Sequence, residues 1–397
     1  MNQVEELIQK MCPNGVPYKQ IRDIAETSIG LATSVTAFKS DSGVILLHNS
    51  DIQENRIVLK QREYVTEQFA MKNDKKVFKL HDLITVHTGD VGTTAVIEEE
   101  YVGSVGFTTI TTRINDFKEI NPYFLCYCLN SKVVKKQIAK VTISDRSNLN
   151  QKSFELLFVP VPPIEVQTEI VSILDSFQSI IWKLEKELSM RVDQYEFYRK
   201  EMLSTSNLPN SKQVKVKDIF SRLKGTPITA GKMKEIASDE GDITIYAGGE
   251  TKVNAFESDI PNVKIVNVPA VLVQSRGLID FIYVDKPFTF KNEMWAYTCK
   301  NKTTLKYLYY VFKDNIAFFR KASSGMGAMP QISLPVTEDF CFNLPSLEIQ
   351  EKVVADLECF ERMCKDDKHG LPAEITARRN QYKYYRDKLL ALKELGN

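Results

Sequence analysis

The tetrapeptide Asn121-Pro122-Tyr123-Phe124 is the stretch of this 397-residue chain that comes nearest to a catalytic motif. An adenine methyltransferase holds its flipped base in a polar clamp of the form (Asn/Asp/Ser)-Pro-Pro-(Tyr/Phe), which combines hydrogen bonds with stacking. The tetrapeptide lacks the second proline and lies where a helix is predicted to begin. At such a position asparagine caps the helix and proline occupies its first turn. The sequence therefore predicts a helix start here and not a methyl-transfer site.

Glycine-rich turns are the second group with catalytic potential, because a cofactor-binding loop needs glycines between a strand and a helix. Thr88-Gly89-Asp90-Val91-Gly92 and Ala247-Gly248-Gly249-Glu250 are each followed by strand-like sequence, which favours turns between strands. The sequence contains no Gly-Lys-Ser/Thr loop, no His-Glu-x-x-His motif and no paired-carboxylate nuclease site. Its seven cysteines form no Cys-x-x-Cys pair and it has only four histidines, so neither zinc nor disulfides are predicted. We expect no catalytic residue, no metal and no cofactor in this chain.

Polar side chains on predicted loops are candidates for DNA binding, because bases and phosphates are contacted by Arg, Lys, Asn, Gln, Ser and Thr. The net charge is +1, yet residues 211–335 carry 18 basic against 12 acidic side chains, whereas residues 16–150 carry 17 against 16. A DNA-binding face and an ordinary solvated surface fit these charges about equally well. In the first half of the chain the candidates are His48, Asn49, Ser50, Thr88, Thr93, Thr94, Arg113, Arg146 and Asn148. In the second half they are Arg222, Lys224, Thr226, Lys232, Lys234, Tyr246, Gln274, Arg276, Lys291, Asn292, Arg320, Lys321, Ser323 and Ser324.

Short strands and helices must position these side chains. Apolar runs bounded by glycines predict strands at 44–47, 79–86 and 93–97, and again at 243–246, 270–273 and 281–284. Helices are predicted at 2–12, 121–139 and 305–319. Residues 84–89 align with residues 271–276 at an offset of 187, which places polar residues directly after equivalent strands.

A long helical pattern occurs twice and organises the chain. Val161-Pro162-Pro163-Ile164-Glu165-Val166-Gln167 recurs as Leu344-Pro345-Ser346-Leu347-Glu348-Ile349-Gln350 at an offset of 183. Further on, 194–199 match 381–386 at an offset of 187, so the second copy carries extra residues around the Gly370-Leu371-Pro372 break. Apolar residues at 177, 181, 184, 188, 192 and 195 follow a coiled-coil seam, and the second copy keeps a similar seam. A helix of about 35 residues spans roughly 50 Å, and the seam predicts that each copy packs on the other. The repeat thus predicts a globular unit followed by a long helix, twice.

These features resemble one protein family over essentially the whole chain. The N-terminal Cys12-Pro13-Asn14-Gly15-Val16, the twin Pro-x-x-Glu-x-Gln helix starts and the run 377–386, Ala-Arg-Arg-Asn-Gln-Tyr-Lys-Tyr-Tyr-Arg, are similar to the specificity subunit of type I restriction-modification systems. The resemblance is specific in the helical repeats and weak in the globular units, which diverge in that family with the DNA they read.

The resemblance implies an α+β fold with two α/β target recognition domains separated by two long antiparallel helices with pseudo-two-fold symmetry. The expected segments are an N-terminal helix at 1–15, recognition domains at 16–160 and 206–343, and long helices at 161–205 and 344–397. The two domains would read a bipartite site on double-stranded DNA. The helices would set the unread spacer and dock two modification subunits, which would bind S-adenosylmethionine and methylate adenine, while restriction subunits would cleave. The chain itself would be non-catalytic.

The docking surface expected from the repeat consists of the residues that recur at both helix starts. They are Pro162, Glu165, Gln167, Pro345, Glu348 and Gln350. A purely structural role as helix caps and hinge contacts fits these residues equally well.

Two functions from other classes are weighed against DNA reading. A self-contained methyltransferase or nuclease would show turnover without partners, but its motifs are missing. A coiled-coil scaffold would bind no DNA, but the paired globular units disfavour it. The acidic N-terminus and the lack of a long apolar run predict a cytoplasmic protein.

Overall fold

The computed structural model describes residues 2–31, 34–142, 148–204, 208, 210–323 and 330–396. The chain folds into two compact units. Unit 1 comprises Met1–Leu184 and Ile375–Asn397, and unit 2 comprises Glu185–Glu374. The last helical segment therefore belongs to the first unit, although in sequence it follows the second.

Unit 1 begins with one helix and then alternates short strands and helices. Its elements are α1 (Asn2–Met11), β1 (Tyr18–Gln20), α2 (Ile21–Ile24), β2 (Ala25–Ile29), β3 (Lys39–Ser40), β4 (Val44–Leu47), β5 (Ile52–Gln53), β6 (Arg56–Ile57), β7 (Tyr64–Val65), α3 (Glu67–Lys72), β8 (Leu83–Val86), β9 (Thr94–Val96), β10 (Val105–Gly106), β11 (Thr109–Ile114), α4 (Pro122–Leu129), α5 (Lys132–Val141), α6 (Gln151–Glu155), β12 (Phe158–Pro160) and the start of α7 (Ile164–Leu203).

Two sheets carry the recognition region of unit 1. The first is antiparallel with the strand order β2-β11-β8-β9, and the second has the order β10-β4-β7-β3 with a parallel β10–β4 pair. Helix α4 covers the first sheet, and its Phe124 and Leu125 are fully buried with Ile170 and Leu174 of α7. The long helix is thus part of the unit's hydrophobic core.

Unit 2 has elements that repeat the order of unit 1 at its beginning and end but not between them. Its elements are β13 (Lys212–Lys215), α8 (Val216–Ile219), β14 (Ser221–Lys224), α9 (Ala230–Glu235), β15 (Ile243–Tyr246), β16 (Lys252–Ala255), β17 (Ala270–Gln274), β18 (Asp280–Val284), β19 (Phe288–Phe290), β20 (Trp295–Thr298), α10 (Lys302–Asp314), α11 (Ile316–Lys321), α12 (Leu334–Glu338), β21 (Cys341–Leu344) and α13 (Leu347–Lys365). Helix α14 (Leu371–Leu389) follows, and from Ile375 it belongs to unit 1.

The first sheet of unit 2 has the same topology as that of unit 1, whereas its second sheet has three strands, β16-β15-β19, instead of four. The antiparallel sheet β14-β20-β17-β18 corresponds to β2-β11-β8-β9, and the parallel pair β15–β19 corresponds to β4–β10. The short pair β13–β21 corresponds to β1–β12. The expected repeat of an α+β unit is confirmed.

The second long helix predicted for 344–397 is divided in the structure into α13 and α14. The division falls at 366–370, where the Asp366 carboxylate accepts hydrogen bonds from the backbone N–H groups of Lys368 and His369. Gly370 occupies a position where an added Cβ would lie 2.6 Å from the carbonyl oxygen of Arg362. The extra residues of the second copy therefore form a turn and do not lengthen the helix.

Each unit contains a contact between helical segments from the two repeats. In unit 1, Phe177 of α7 stacks on Tyr385 of α14 with ring centroids 5.3 Å apart. In unit 2, Tyr198 of α7 stacks on Phe360 of α13 at 5.5 Å. Because Phe360 repeats Phe177 and Tyr385 repeats Tyr198, the same aromatic pair is made twice with the roles of the two copies exchanged. The prediction that the helical seam packs on its own copy is confirmed within each unit.

The repeated Tyr-x-x-x-Arg sequence fastens each helical segment to a globular region. In unit 2, Arg199 lies over the buried Tyr195 ring at 5.3 Å and its Nε donates to Asp314 at 3.3 Å. In unit 1, Arg386 lies over the buried Tyr382 ring at 5.5 Å and its Nη1 donates to Glu54 at 3.2 Å. The C-terminal part of each repeated helix is thus bound to the globular region of the other repeat.

Candidate nucleic-acid interface

The turn after β8 in unit 1 brings together two of the predicted DNA-binding residues. Thr88 and Asn148 form an antiparallel backbone bridge, and Thr88 Oγ1 lies 3.0 Å from Asn148 Oδ1. Both residues are exposed, whereas the next residue, Leu149, is fully buried and its N–H donates to the His87 carbonyl at 3.0 Å. We call the bridge formed by residues 88 and 148 the clip of unit 1. It presents polar side chains from an anchored backbone.

His87 is a member of this group that the sequence did not single out. Its Nδ1 lies 2.8 Å from Thr88 Oγ1, so His87, Thr88 and Asn148 form a hydrogen-bonded chain. Burial of the imidazole lowers the pKa of His87 from its usual value, which favours the neutral ring. Its position directly before the polar tip could have suggested this role.

Unit 2 has a clip at the same structural position. Arg276 and Gln331 form an antiparallel bridge, and the N–H of the buried Ile332 donates to the Ser275 carbonyl at 3.0 Å. The Gly277 N–H donates to the Pro330 carbonyl at 2.9 Å. Gln331 and Ile332 lie 183 residues after Asn148 and Leu149, so the repeat could have identified Gln331 as well.

A second group of candidates lies where the strands β14, β15 and β19 of unit 2 end. The Lys291 N–H donates to the Tyr246 carbonyl at 3.0 Å, and the Asn292 N–H donates to the Thr226 carbonyl at 3.1 Å. The Asn292 side chain is exposed and Tyr246 is half-buried against Phe288. Four predicted residues therefore meet at one edge of the unit.

The corresponding edge of unit 1 contains His48 and Asn49. The Phe107 N–H donates to the Leu47 carbonyl at 2.8 Å, as the Lys291 N–H does to Tyr246, and Asn49 Nδ2 donates to Thr108 Oγ1 at 3.2 Å. His48 is half-buried, and its Nε2 lies 3.2 Å from Glu63. Asn49 Oδ1 is buried and has no hydrogen-bond partner among the described residues. This edge carries His48 beside Glu63, whereas its counterpart in unit 2 carries Lys291 beside Glu293.

Thr93 and Thr94, two of the predicted DNA-binding residues of unit 1, are not on the surface. Both residues are buried, Thr93 Oγ1 donates to Asp90 at 2.9 Å, and Thr94 Oγ1 lies 2.9 Å from Thr85 Oγ1. Their hydroxyls therefore satisfy interior hydrogen bonds and do not face a ligand. Thr93 directly precedes β9 and Thr94 begins it, and β9 is buried on both faces, so the polar residue types and the glycine turn gave no sign of this burial.

The same correction applies to Thr226 and Gln274 in unit 2. Thr226 is fully buried with its Oγ1 2.7 Å from Thr289 Oγ1. Gln274 is also buried, and its Nε2 donates to the Gly249 carbonyl, which holds the β15–β16 turn against the clip. Both residues position the surface but are not exposed on it.

Ion pairing distinguishes the predicted cations from one another. The paired ones are Arg113 with Asp82 at 2.6 Å, Arg222 with Glu338 at 3.5 Å, Lys232 with Glu235 at 2.8 Å and Lys291 with Glu293 at 2.8 Å. Only the Arg113 pair has a buried carboxylate, because the Asp82 side chain is 2% exposed. Hydrogen bonds to this carboxylate raise the pKa of Arg113. This buried partner favours a role for Arg113 in the stability of unit 1 over a role in DNA binding.

The remaining candidates differ in their exposure. Ser50, Lys224, Lys234, Arg320 and Lys321 are exposed, and Ser323 is half-buried with its Oγ donating to the Arg320 carbonyl at 2.7 Å. Arg146 and Ser324 lie outside the described residues.

The stretches that come nearest to catalytic motifs in the sequence have structural roles. Asn121 caps α4, with its side chain accepting hydrogen bonds from Tyr123 and Phe124 N–H, and Pro122 lies in the first turn. Both glycine-rich stretches lie between strands, β8–β9 and β15–β16. Among the residues that the structure describes, no group of His, Cys, Asp and Glu is arranged to hold a metal ion. None of the described helices combines the length and apolar character needed to cross a bilayer.

Comparison with known proteins identifies the family. The model of the type I restriction modification DNA specificity domain matches residues 13–194 and again residues 209–377. The chain belongs to this family. Its two matches coincide with the two structural repeats, and the chain is a non-catalytic specificity component of type I restriction-modification.

Relatives and solved structures agree with this family. A Mycoplasma pneumoniae protein named as a type I specificity subunit is 28% identical over 235 residues, 56% of this chain and 89% of the relative. The Escherichia coli EcoR124I/EcoR124II specificity subunit is 27% identical over 272 residues, 62% of this chain and 64% of the relative. The crystal structure of the S subunit from M. genitalium matches with a TM-score of 0.61 at 13% identity, covering 95% of this chain and 97% of that one. A chain from a study of assembly and conformational transition of the type I system matches with a TM-score of 0.59 at 13% identity, covering 95% and 98%.

The recurring helix starts of this specificity-family chain are partly interior. Pro162, Pro345, Gln167 and Gln350 are buried, and each glutamine Nε2 donates to the carbonyl of its own proline at 2.8 Å. Gln167 also donates to the Glu119 carbonyl and accepts from the Asn121 N–H, both at 2.8 Å. The burial of these four residues favours a role as helix caps and hinge contacts over a docking role. Glu165 and Glu348 are exposed and stay candidates for docking.

Replacing the two glutamines with leucine should have unequal effects. We expect Gln167→Leu to lower the free energy of unfolding of unit 1 by about 3 kcal/mol, because one buried and two partly buried backbone groups lose their partner. Gln350→Leu should lower that of unit 2 by only about 1 kcal/mol. Its Oε1 already has no hydrogen-bond partner among the described residues, so the leucine removes an unpaired oxygen.

Hydrogen exchange of peptides from each unit during urea titration would measure both effects. Equal losses in the two variants would contradict the hydrogen-bond difference between the repeats. Thr168→Ala, a substitution at an exposed position of α7, serves as the control for unit 1.

Proposed function

We propose that this chain reads a bipartite DNA target for a type I restriction-modification complex. Each unit would read one half-site on double-stranded DNA, and the helical segments would set the unread spacer between the half-sites. The same helices would dock two modification subunits. S-adenosylmethionine would bind in those partners, which would methylate adenine, and restriction subunits would cleave. We place this complex in the cytoplasm.

One observation supports the proposal: the two units share a backbone framework but differ in the side chains that their clips expose. Both units have the same order of strands in the four-stranded antiparallel sheet, the same parallel strand pair, and the same clip between a strand end and a buried anchor residue. The clip side chains nevertheless differ, with Thr88 and Asn148 in one unit and Arg276 and Gln331 in the other. Two frames that hold different donors and acceptors are suited to two different base sequences, because the donor and acceptor pattern of base edges carries sequence information.

Exposed apolar side chains on α7 support the docking of partners. Met190 is 61% exposed and Phe197 is 60% exposed, and a spacing of seven residues places them on one face of the helix. Large apolar side chains on an exposed face are typical of interaction surfaces. The exposed Glu165 and Glu348 are further candidates for contact with the partners.

Mapping of methylated adenine at base resolution tests the proposed function. The chain would be expressed with its cognate modification subunits, and the partners without the chain would serve as the control. We expect two short motifs separated by a fixed gap, present only when the chain is present. Methylation without sequence preference, or a single continuous motif, would contradict the proposal.

A further inference from the structure

The clips of the two units differ in their free hydrogen-bonding groups, although their backbones are equivalent. In both, the N–H of a buried aliphatic residue, Leu149 or Ile332, donates to a carbonyl at 3.0 Å. A glycine with positive φ, Gly89 at 98° or Gly277 at 79°, follows the exposed clip residue and turns the chain back. Only glycine adopts this conformation without strain. Each clip is therefore a fixed platform for two side chains.

Arg276 is the free cation of the clip in unit 2. Its side chain is exposed and makes no ion pair or hydrogen bond with any residue that the structure describes, whereas Arg222 and Lys291 are paired. Its backbone carbonyl accepts from the Gly249 N–H at 3.0 Å. An added Cβ at Gly248 would lie 3.3 Å from that carbonyl, so the neighbouring turn carries no side chain that would cover the clip. The Arg276 backbone is therefore fixed, whereas its guanidinium has no partner among the described residues.

The clip of unit 1 offers an oriented amide. Thr88 Oγ1 has one proton and lies between His87 Nδ1 and Asn148 Oδ1, at 2.8 Å and 3.0 Å. With His87 donating from Nδ1, the threonine hydroxyl donates to Asn148 Oδ1 and holds the amide plane. Asn148 Nδ2 then points away from the chain of hydrogen bonds, and it has no partner among the described residues. One lone pair of Oδ1 is also left to accept.

From these contacts we propose that the clips are base-reading elements, with Arg276 reading a guanine in one half-site and Asn148 reading an adenine in the other. The inference rests on the proposed function and assigns its base specificity. A guanidinium donates two parallel hydrogen bonds to O6 and N7 of guanine, and an asparagine amide accepts from N6 and donates to N7 of adenine. His87 and Thr88 act as positioning residues for Asn148. Gln331 pairs with Arg276 through the backbone bridge of the same clip.

The test compares the methylation motifs of variants co-expressed with the cognate modification subunits. We expect Arg276→Ala to relax one guanine position of one half-site, with discrimination at that base falling roughly 10- to 100-fold and the other half-site unchanged. Arg276→Lys should lose most of this discrimination, because it lacks the fork. Asn148→Ala should relax one adenine position in the opposite half-site. Lys234→Ala, which removes an exposed cation without a partner among the described residues, should weaken DNA binding evenly over all sequences and leave the motif intact.

The outcomes separate this inference from the proposed function. A bipartite motif in the wild type that persists unchanged in Arg276→Ala and Asn148→Ala overturns the inference alone, as does an even loss at every position. A wild-type chain that directs no sequence-specific methylation overturns the proposed function and the inference with it. Hydrogen exchange of the purified variants identifies any alanine variant that fails to fold, and in that case the motifs of Arg276→Lys and Thr88→Ala decide between the outcomes. Thr88→Ala should loosen the adenine position without affecting the guanine.

Discussion

Asp82→Asn should destabilise unit 1 by about 3 kcal/mol, because it leaves a largely covered guanidinium without its counter-charge. The Asp82 carboxylate accepts from Arg113 Nε at 2.8 Å and Nη2 at 2.6 Å, and also from the Lys79 N–H at 2.8 Å. An asparagine at this position replaces one acceptor oxygen with a donor that faces other donors. The expected measurement is faster hydrogen exchange in the peptides that contain β8 and β11, with unit 2 unchanged.

Matched variants separate this pair from a general effect of charge. Asp41→Asn makes the same substitution at an exposed position between β3 and β4 and should cost less than about 0.5 kcal/mol. The double variant Asp82→Asn with Arg113→Met should cost less than the sum of the two single variants, because neither charge is then left alone. If Arg113→Ala kept the stability of unit 1 and abolished DNA binding, the residue would be a reader of DNA and its structural role would be wrong.

The elements of the fold that could be predicted are those with a local cause. The strand predicted at 243–246 matches β15, and the one at 44–47 matches β4, because glycines and a run of β-branched or aliphatic residues define both. Asn121 and Pro122 marked the start of α4 correctly. The predicted strand at 79–86 begins only at Leu83, because the Asp82 side chain binds the Lys79 N–H and His81 has a φ of +66°. The predicted helix 121–139 is interrupted at Ser131, which caps α5 through its own side chain.

The candidate site depended on tertiary contacts that leave little trace in the sequence. Thr88 and Thr94 lie six residues apart in one glycine-flanked stretch, yet one is exposed and the other is fully buried. Their residue types offer no reason to separate them, since both are polar residues beside a turn. Arg276 and Arg113 likewise look alike in sequence, but only one of them has a buried carboxylate as partner. The repeat is the one sequence feature that points to Gln331, through its offset from Asn148.

Exchange of helical segments between the repeats has a physical consequence for stability. Each unit needs the end of a helix that, in sequence, belongs to the other repeat, because Tyr195 and Tyr382 are both buried in the unit of the opposite copy. Unit 1 also joins its two chain segments through backbone bonds, in which the Val16 N–H donates to the Lys393 carbonyl at 2.8 Å and the Leu395 N–H donates to the Val16 carbonyl at 2.9 Å. Each globular region therefore packs against helical residues from both repeats.

Leu389→Ala and Leu357→Ala should accordingly destabilise different units, although both leucines lie after the second Pro-x-x-Glu-x-Gln helix start. Leu389 is buried in the core of unit 1 with Phe124 and Tyr382, and Leu357 is fully buried in the core of unit 2. We expect each substitution to cost about 3 kcal/mol from lost burial and the cavity left behind. Hydrogen exchange should rise in peptides of Met1–Leu184 for Leu389→Ala and in peptides of Glu185–Glu374 for Leu357→Ala.

Comparing Leu389→Ala with Leu357→Ala shows which unit each helical segment stabilises. Leu395→Ala, at a position that is 56% exposed, is the control for unit 1 and should leave exchange unchanged. If Leu389→Ala loosened unit 2 instead, the helical end would belong to the repeat that precedes it in sequence, and the exchange of segments would be wrong. If both leucine variants loosened both units equally, the two cores would unfold as one, and the division of the chain into two compact units would have no energetic meaning.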